Sequence, residues 1–339
     1  MITIYDVAKK AGVSIATVSY ALNGKNSVSE ETRARVKAIA DEMGFIPNSL
    51  AQGLSSKKTN IMGVVVADIE NLFTASFIKH LESYARKEDF YLLLGSTLND
   101  SEIENEIIGR FIAKNVDSLV IHPGANFNEQ RFIDLITSIT KRHIPFVIVN
   151  ASFSKIKTNF VRIDLEEGQY AITKYLLTMG HRDLCFIGGG KDSYHSMLKL
   201  NGFLRALEEY GIMNHDSYHV ECGNEFTFEQ GYEAAKSLLS RSLKHPGVIV
   251  AINDSVAQGA IAALLEAGYK VPGDVSVVGN DDINQSIAGH VRLTTLRSPV
   301  DEIARLCVEV LKETDLKKGI TRQYILNQEL IVRDSVKRI

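Results

Sequence analysis

The chain has 339 residues, of which 45% are hydrophobic and 23% charged, and its net charge is −3. That length exceeds one ordinary domain and that apolar content can fill a large core, so two or three globular units are expected and a disordered chain is excluded. Three widely separated cysteines, Cys185, Cys222 and Cys307, make neither a disulfide framework nor a metal-ligand spacing.

The net charge hides an asymmetry. Residues 1–58 hold eight Lys/Arg against five Asp/Glu, a net +3, so the remainder carries −6. A mildly basic module ahead of an acidic body suits phosphate contact at one end. Asp6, Lys9 and Lys10 fall where a signal peptide would be apolar, and no apolar run approaches the length of a membrane span. A cytoplasmic protein with reduced cysteines and no membrane association is expected.

The first stretch, Ile4 to Asn23, places Ala8, Gly12 and Val18 at the spacing of a helix-turn-helix. Ala8 is small where a second helix crosses closely, Gly12 permits a left-handed turn, and Val18 fills the angle between the helices. Ser14 is a good N-cap for a helix over about 15–22. Val18 and Leu22 would point inward, leaving Ile15, Ala16, Thr17, Ser19 and Tyr20 outward, toward a major groove in a DNA reader. Ser29-Glu-Glu-Thr32 reads as a capping box opening a third helix, with Val36, Ile39, Ala40 and Met43 on one face. Gly44 ends that helix, and Phe45-Ile-Pro-Asn-Ser-Leu-Ala-Gln-Gly-Leu54 precedes a polar run.

These motifs closely resemble the lactose repressor/galactose repressor family of bacterial transcription factors. The shared features are Ile-Tyr-Asp-Val-Ala, Ala-Gly-Val-Ser and Thr-Val-Ser at the start, the Val-Ser…Thr-Arg…Val third helix, and the Pro-Asn-x-x-Ala-x-x-Leu hinge. The likeness extends to the C-terminus. It implies that Ile15, Ala16 and Tyr20 face bases while Thr3, Ser14, Thr17 and Ser19 hold phosphates. The apolar side chains at 15 and 16 can touch a thymine methyl but cannot make bidentate hydrogen bonds. Many relatives carry Arg where Tyr20 stands, which leaves the outer operator bases unspelled. A hinge helix over about 48–55, with Asn48, Ala51 and Leu54 on DNA, is too short to be stable alone, since isolated helices under about 12 residues are marginal. It is expected to form on DNA, with Leu54 as the minor-groove wedge.

From Ile61 the chain alternates short β-rich runs with amphipathic stretches. Strands are expected at 61–67, 91–95, 116–121 and 146–149, with helices at 73–87, 102–115 and 128–143 between them. A second set has strands at 161–163, 184–187, 248–251 and 275–278, and helices near 166–179, 196–210, 227–240 and 255–267. Two α/β units of parallel strands imply a cleft at their carboxyl ends. The resemblance supplies the rest: an all-α headpiece (1–58) ahead of a core (59–339) of two periplasmic-binding-protein-like (type I) lobes with three crossovers. The N-lobe is assigned about 60–159 and 294–319, the C-lobe about 160–293 and 320–339. No heptad run follows Arg333, so a homodimer is favoured over a coiled-coil tetramer.

Catalytic and metal chemistry finds no support. Ile187-Gly-Gly-Gly-Lys-Asp192 fails as a phosphate loop, because Cys185 stands where Walker A needs glycine and Asp192 where it needs Ser or Thr. His215 and His219 flank a loop rather than share a helix face. Asp281 and Asp282 are adjacent at a strand end and point to opposite sides, so one is expected in the cleft and the other in a structural bond. No cofactor is expected. A solute-binding protein would lack residues 3–54, and an α/β enzyme would need a catalytic constellation that is not found.

The expected function is therefore a sequence-specific transcriptional regulator, by default a repressor. It would bind a pseudo-palindromic operator in double-stranded DNA as a dimer, under control of a small-molecule effector. Residue-by-residue match to the family's effector pocket gives Asp68, Phe73, His122, Asn150, Lys199, Phe226, Asn253 and Asp281. Relatives usually carry Arg at 199, where Lys lacks the bidentate fork. Carboxylate, amides and aromatics together favour a neutral carbohydrate, since Asp68 and Asp281 would repel a phosphate dianion.

Overall fold

The structure, a computed structural model, describes residues 2–22, 27–45, 58–124, 129–153, 155–190, 192–212, 219–241, 246–289, 291–314 and 320–339. The chain divides into two compact units, Met1–Thr59 and Asn60–Ile339.

In the first unit, α1 (Ile4–Ala11), α2 (Ile15–Leu22) and α3 (Glu30–Glu42) surround a core of Val7, Ala8, Ala11, Val18, Ala21, Val28, Val36 and Ala40. Gly12 ends α1 at φ 65° and ψ 34°, the left-handed conformation that lets α2 turn back, and Val13 N–H bonds the Ala8 carbonyl at 3.1 Å. Ser14 Oγ accepts from Thr17 N at 3.1 Å and so caps α2. Ser29 Oγ caps α3 through Thr32 N. At the first helix the Thr3 backbone N–H and hydroxyl both donate to Asp6 Oδ2, at 2.9 and 2.7 Å, so the N3 carboxylate reaches back to the N-cap residue.

The second unit contains two parallel sheets. The larger has the order β11-β5-β4-β3-β1-β2, with β1 Ile61–Val66, β2 Tyr91–Ser96, β3 Ser118–Ile121, β4 Phe146–Val149, β5 Phe160–Ile163 and β11 Gln323–Leu326. The smaller runs β7-β6-β8-β9, with β6 Leu184–Gly188, β7 His219–Glu221, β8 Val248–Ala251 and β9 Ser276–Val278. Helices α4 (Leu72–Lys87), α5 (Ser101–Ala113), α6 (Glu129–Lys141) and α12 (Val300–Glu313) accompany the first sheet. Helices α7 (Leu165–Thr178), α8 (Tyr194–Glu209), α9 (Phe228–Arg241) and α10 (Asp254–Glu266) accompany the second, with a short α11 (Gln285–Ala288). Central strands are buried on both faces, as Val248–Ala251 is at every position, which is why they read as continuous apolar runs.

The lobe boundaries differ from those read in the sequence. β5 pairs with β4 and β11 pairs with β5, both in parallel, so 160–163 and 323–326 belong to the first lobe rather than the second. Val161 and Ile163 bury beside Val147 and Val149, and Asn159 ties the two strands at their start by donating to Phe146 O and accepting from Arg322 N. The chain crosses between lobes after Ile163, after Arg297 and after Leu326. A small antiparallel pair, β10 (Thr295–Arg297) with β12 (Glu329–Ile331), lies at the last two crossings. The final segment returns to the second lobe, where Val277 N bonds Ser335 O.

Candidate functional site

On α2 the inward residues are Val18 and Ala21, while Leu22 is only half-buried. Ile15 and Ala16 are exposed, Thr17 and Ser19 half-buried, and Tyr20 is 39% exposed. Ile15 and Tyr20 are among the large apolar side chains that this unit leaves exposed, with Ile2 and Tyr5. Thr3 and Ser14 are exposed, but their hydroxyls already bond Asp6 and Thr17. The hinge positions Asn48, Ala51 and Leu54 lie outside the described residues.

In the second unit all eight predicted cleft residues line one cavity of about 110 Å³. The parallel sheets explain the convergence. Asp68 follows β1, Phe73 opens α4, and His122 and Asn150 follow β3 and β4; Asn253 and Asp281 follow β8 and β9, Phe226 sits in the loop before α9, and Lys199 comes from α8. An adjoining compartment of about 240 Å³ shares Asp68, Phe73, Phe226, Asn253 and Asp281 and adds Glu70, Glu229 and Asp254.

The eight are not equivalent. Lys199 is buried, and its Nζ donates to the Ile252 carbonyl at 2.7 Å. Burial lowers its pKa, opposed by the charges of Asp281 and Asp254. For Asp281 burial raises the pKa, while Lys199 and the Ser298 hydroxyl, at 3.1 Å from Oδ1, work the other way. Asp281 sits at φ 114°, and Asn150 and Phe226 at 55° and 56°, so backbone strain gathers at the cavity. Asn253 has a structural bond at each end of its amide: Oδ1 caps α10 through Val256 N at 2.8 Å, and Nδ2 donates to Phe226 O at 3.0 Å. Asn150 Oδ1 accepts from Ile163 N, and Asp68 Oδ1 from Glu70 N. Phe73 is buried in the first-lobe core with its ring 5.9 Å from that of His122. Burial holds His122 at a pKa of about 3, so it is neutral, and its buried Nδ1 has no partner.

Of the adjacent pair, Asp281 lines the cleft while Asp282 is clamped by Arg333 at 2.6 Å and Arg297 at 2.8 Å. Burial works to raise the Asp282 pKa, but the two guanidiniums hold it below the usual value.

Among the lining residues that went unnoticed in the sequence are His195 and, in the adjoining compartment, Asp254. His195 stands one helical turn before Lys199, a signal that was available. Its Nε2 donates to the Asn150 carbonyl at 3.1 Å, and burial takes its pKa down to about 4. Asp254 is fully buried, accepting from Thr295 Oγ1 at 2.6 Å and Ile283 N at 2.9 Å; burial, then the charge of Asp281, pushes it up to about 8, so it keeps its proton at neutral pH. Gly190 N donates to Asn224 Oδ1, which makes 188–190 part of a turn beside the cavity. Among the described residues no cluster of His, Cys, Asp and Glu fits a metal, and no helix is long and apolar enough to cross a membrane.

Comparison with known proteins agrees with both halves. Residues 3–48 match the family described as bacterial regulatory proteins, lacI family, and residues 173–336 match the periplasmic binding protein-like domain. The chain is 33% identical to the HTH-type transcriptional regulator DegA of Bacillus subtilis strain 168 over 335 residues, 98% of this chain and 97% of that one. It is 30% identical to catabolite control protein A of Priestia megaterium over 338 residues, 99% of each. A crystal structure of the lac repressor dimer bound to operator and the anti-inducer ONPF superposes with a TM-score of 0.89 at 25% identity, over 98% of both chains. These relatives are regulators rather than enzymes, and they align from the headpiece to the C-terminal segment. With a helix-turn-helix unit followed by a two-lobed core, the chain belongs to the LacI family of DNA-binding transcriptional regulators.

Proposed function

We propose that this regulator acts as a repressor, binding a pseudo-palindromic operator as a homodimer in the bacterial cytoplasm, and that a neutral carbohydrate in the interlobe cavity controls it. Ile15, Ala16 and Tyr20 read bases, Thr3, Ser14, Thr17 and Ser19 meet phosphates, and Asn48, Ala51 and Leu54 complete the DNA surface from the hinge. The observation that carries the effector reading is the convergence of buried Lys199 and half-buried Asp281, two side chains of opposite charge type, on a single cavity fed by both lobes. A charge is costly to bury without a purpose or a partner. With His122 and His195 neutral, Lys199 is the lone cation among the described lining residues, against Asp68, Glu225 and Asp281. That balance disfavours a phosphate dianion, while Asp281 as acceptor and Lys199 and the Asn150 amide as donors suit sugar hydroxyls. Asn253 and Phe73 shape the cavity rather than grip. A lac repressor dimer that holds operator and a small molecule together is the structural precedent.

The test is a thermal-shift screen of sugars, sugar phosphates and nucleobases on the purified protein, repeated with Asp281→Ala and Lys199→Ala. A hit among neutral sugars that both variants lose, with DNA affinity in its absence unchanged, supports the reading. A hit confined to phosphorylated sugars or nucleobases, or one that both variants keep, overturns it.

A further inference from the structure

Ser298 and Gln328 stand on the second and third crossings of the chain between the lobes, and both connect to the cleft carboxylate. Ser298 Oγ donates to Asp281 Oδ1 at 3.1 Å. Gln328 Nε2 donates to Ser298 Oγ at 3.0 Å and to Asn280 Oδ1 at 2.7 Å. Asn280 and Ser298 are buried, and two buried atoms of this cluster, Gln328 Oε1 and Asn280 Nδ2, have no partner. Orphaned polar atoms in a buried network are costly, and here the cost is the same in two arrangements. Rotating both amides by half a turn makes the same 2.7 Å contact a bond from Asn280 Nδ2 to Gln328 Oε1, and it offers the Ser298 hydroxyl the glutamine oxygen in place of Asp281; Gln328 Nε2 and Asn280 Oδ1 are then the unpaired atoms, so each arrangement leaves one nitrogen and one oxygen without a partner.

We propose that Ser298 and Gln328 are positioning residues of a two-state relay, in which the Ser298 hydroxyl points to Asp281 when the cleft is empty and to Gln328 when a ligand hydroxyl occupies Asp281. The proposal rests on the reading of Asp281 as an effector contact. A change of acceptor at one carboxylate then alters the hydrogen bonding of two of the three crossings, which is what a ligand needs in order to bias the angle between lobes. The first crossing lies within reach: a Cβ on Gly168, in the helix that follows it, would come 2.3 Å from Gln328 Oε1, so the glutamine fills the space that this glycine leaves.

The experiment uses no ligand. Hydrogen–deuterium exchange of the full-length protein is followed in peptides over 326–331, with 248–252 as control, for wild type, Asp281→Asn, Ser298→Ala and the double variant. Asp281→Asn weakens the acceptor, and a lost hydrogen bond loosens a segment by about fivefold in exchange rate. That acceleration is expected in 326–331, which Asp281 does not itself contact by a hydrogen bond, and it should vanish in the Ser298→Ala background while the control peptide stays unchanged. Gln328→Met, which keeps the length and loses the donor, replaces Ser298→Ala should that variant fail to fold, and Gly168→Ala, which displaces the amide, should mimic it. Equal acceleration with and without Ser298, or none in either, overturns the relay. Because the perturbation is at Asp281 itself, a sugar screen without hits would strike the effector reading and leave this result standing.

Discussion

Asn253 was expected to contact a ligand, and the structure gives it two other tasks whose removal has a predictable size. Asn253→Ala deletes the side-chain cap of α10, worth about 1 kcal/mol. It also removes the donor to the Phe226 carbonyl, and a partly buried carbonyl left without its bond costs about 1–3 kcal/mol. Together the core should lose about 2–4 kcal/mol. Asn253→Ser retains a capping oxygen and forfeits only the Phe226 contact, so it should fall between wild type and alanine. Urea unfolding of the full-length protein followed by far-UV circular dichroism measures the order wild type, Ser, Ala. If alanine lies within about 0.5 kcal/mol of wild type, or serine is worse than alanine, the two bonds do not carry the load assigned to them. A ligand that binds the serine variant with wild-type affinity would further separate positioning from contact.

Other outcomes can be stated briefly. Gly12 adopts φ 65°, so Gly12→Ala should destabilise the headpiece by about 1–2 kcal/mol and lower DNA affinity with it, while Gly12→Asn should cost less; a melting curve unchanged by alanine would refute this. His122 has a folded pKa of about 3 against 6.5 unfolded, so the unfolded chain takes up the proton first and this group's contribution to stability is lost as pH falls below 6.5. Relative to wild type, His122→Gln should therefore gain about 2 kcal/mol between pH 6.5 and about pH 5, and parallel pH profiles would contradict it. Sedimentation velocity should find a dimer at micromolar concentration, because a two-fold site is read by a two-fold protein; a stable monomer that binds operator tightly would refute the assembly.

How much was legible in the sequence depended on the range of the interaction. Gly12, Ser14 and Ser29 act on neighbours within a turn, so spacing revealed their roles, and the strand and helix runs of the core fell within a few residues of their places. Seven of the eight expected cleft residues share a cavity because positions after parallel strands converge whatever their side chains, and Lys199 joins them from α8. What Asn253 does could not be read, since its amide serves Phe226, far along the chain, and that pairing exists only after α9 and α10 pack. Asp254 went unseen for the same reason: its proton is kept by burial and then by the charge of Asp281, against the pull of the Thr295 hydroxyl, and all of these are supplied by distant segments.

The misplaced strands show where local pattern stops deciding. Phe160–Ile163 is a short apolar run at the point where a second β-α series begins, and its sequence suits a central strand in either sheet. Its partner is chosen by Asn159, which bonds Phe146 O on one side and Arg322 N on the other and so fixes the order β4-β5-β11. Because β5 and β11 both lie in the first sheet, the chain leaves that sheet at Ile163 and again at Leu326, side by side, with Asp164 N bonded to the Leu326 carbonyl at 2.8 Å. A backbone hydrogen bond between the two crossings couples any displacement of one to the other. Any side chain on either crossing that also feels the cleft is then placed to act on both, and Gln328, two residues beyond Leu326, meets that condition through Ser298 and Asp281.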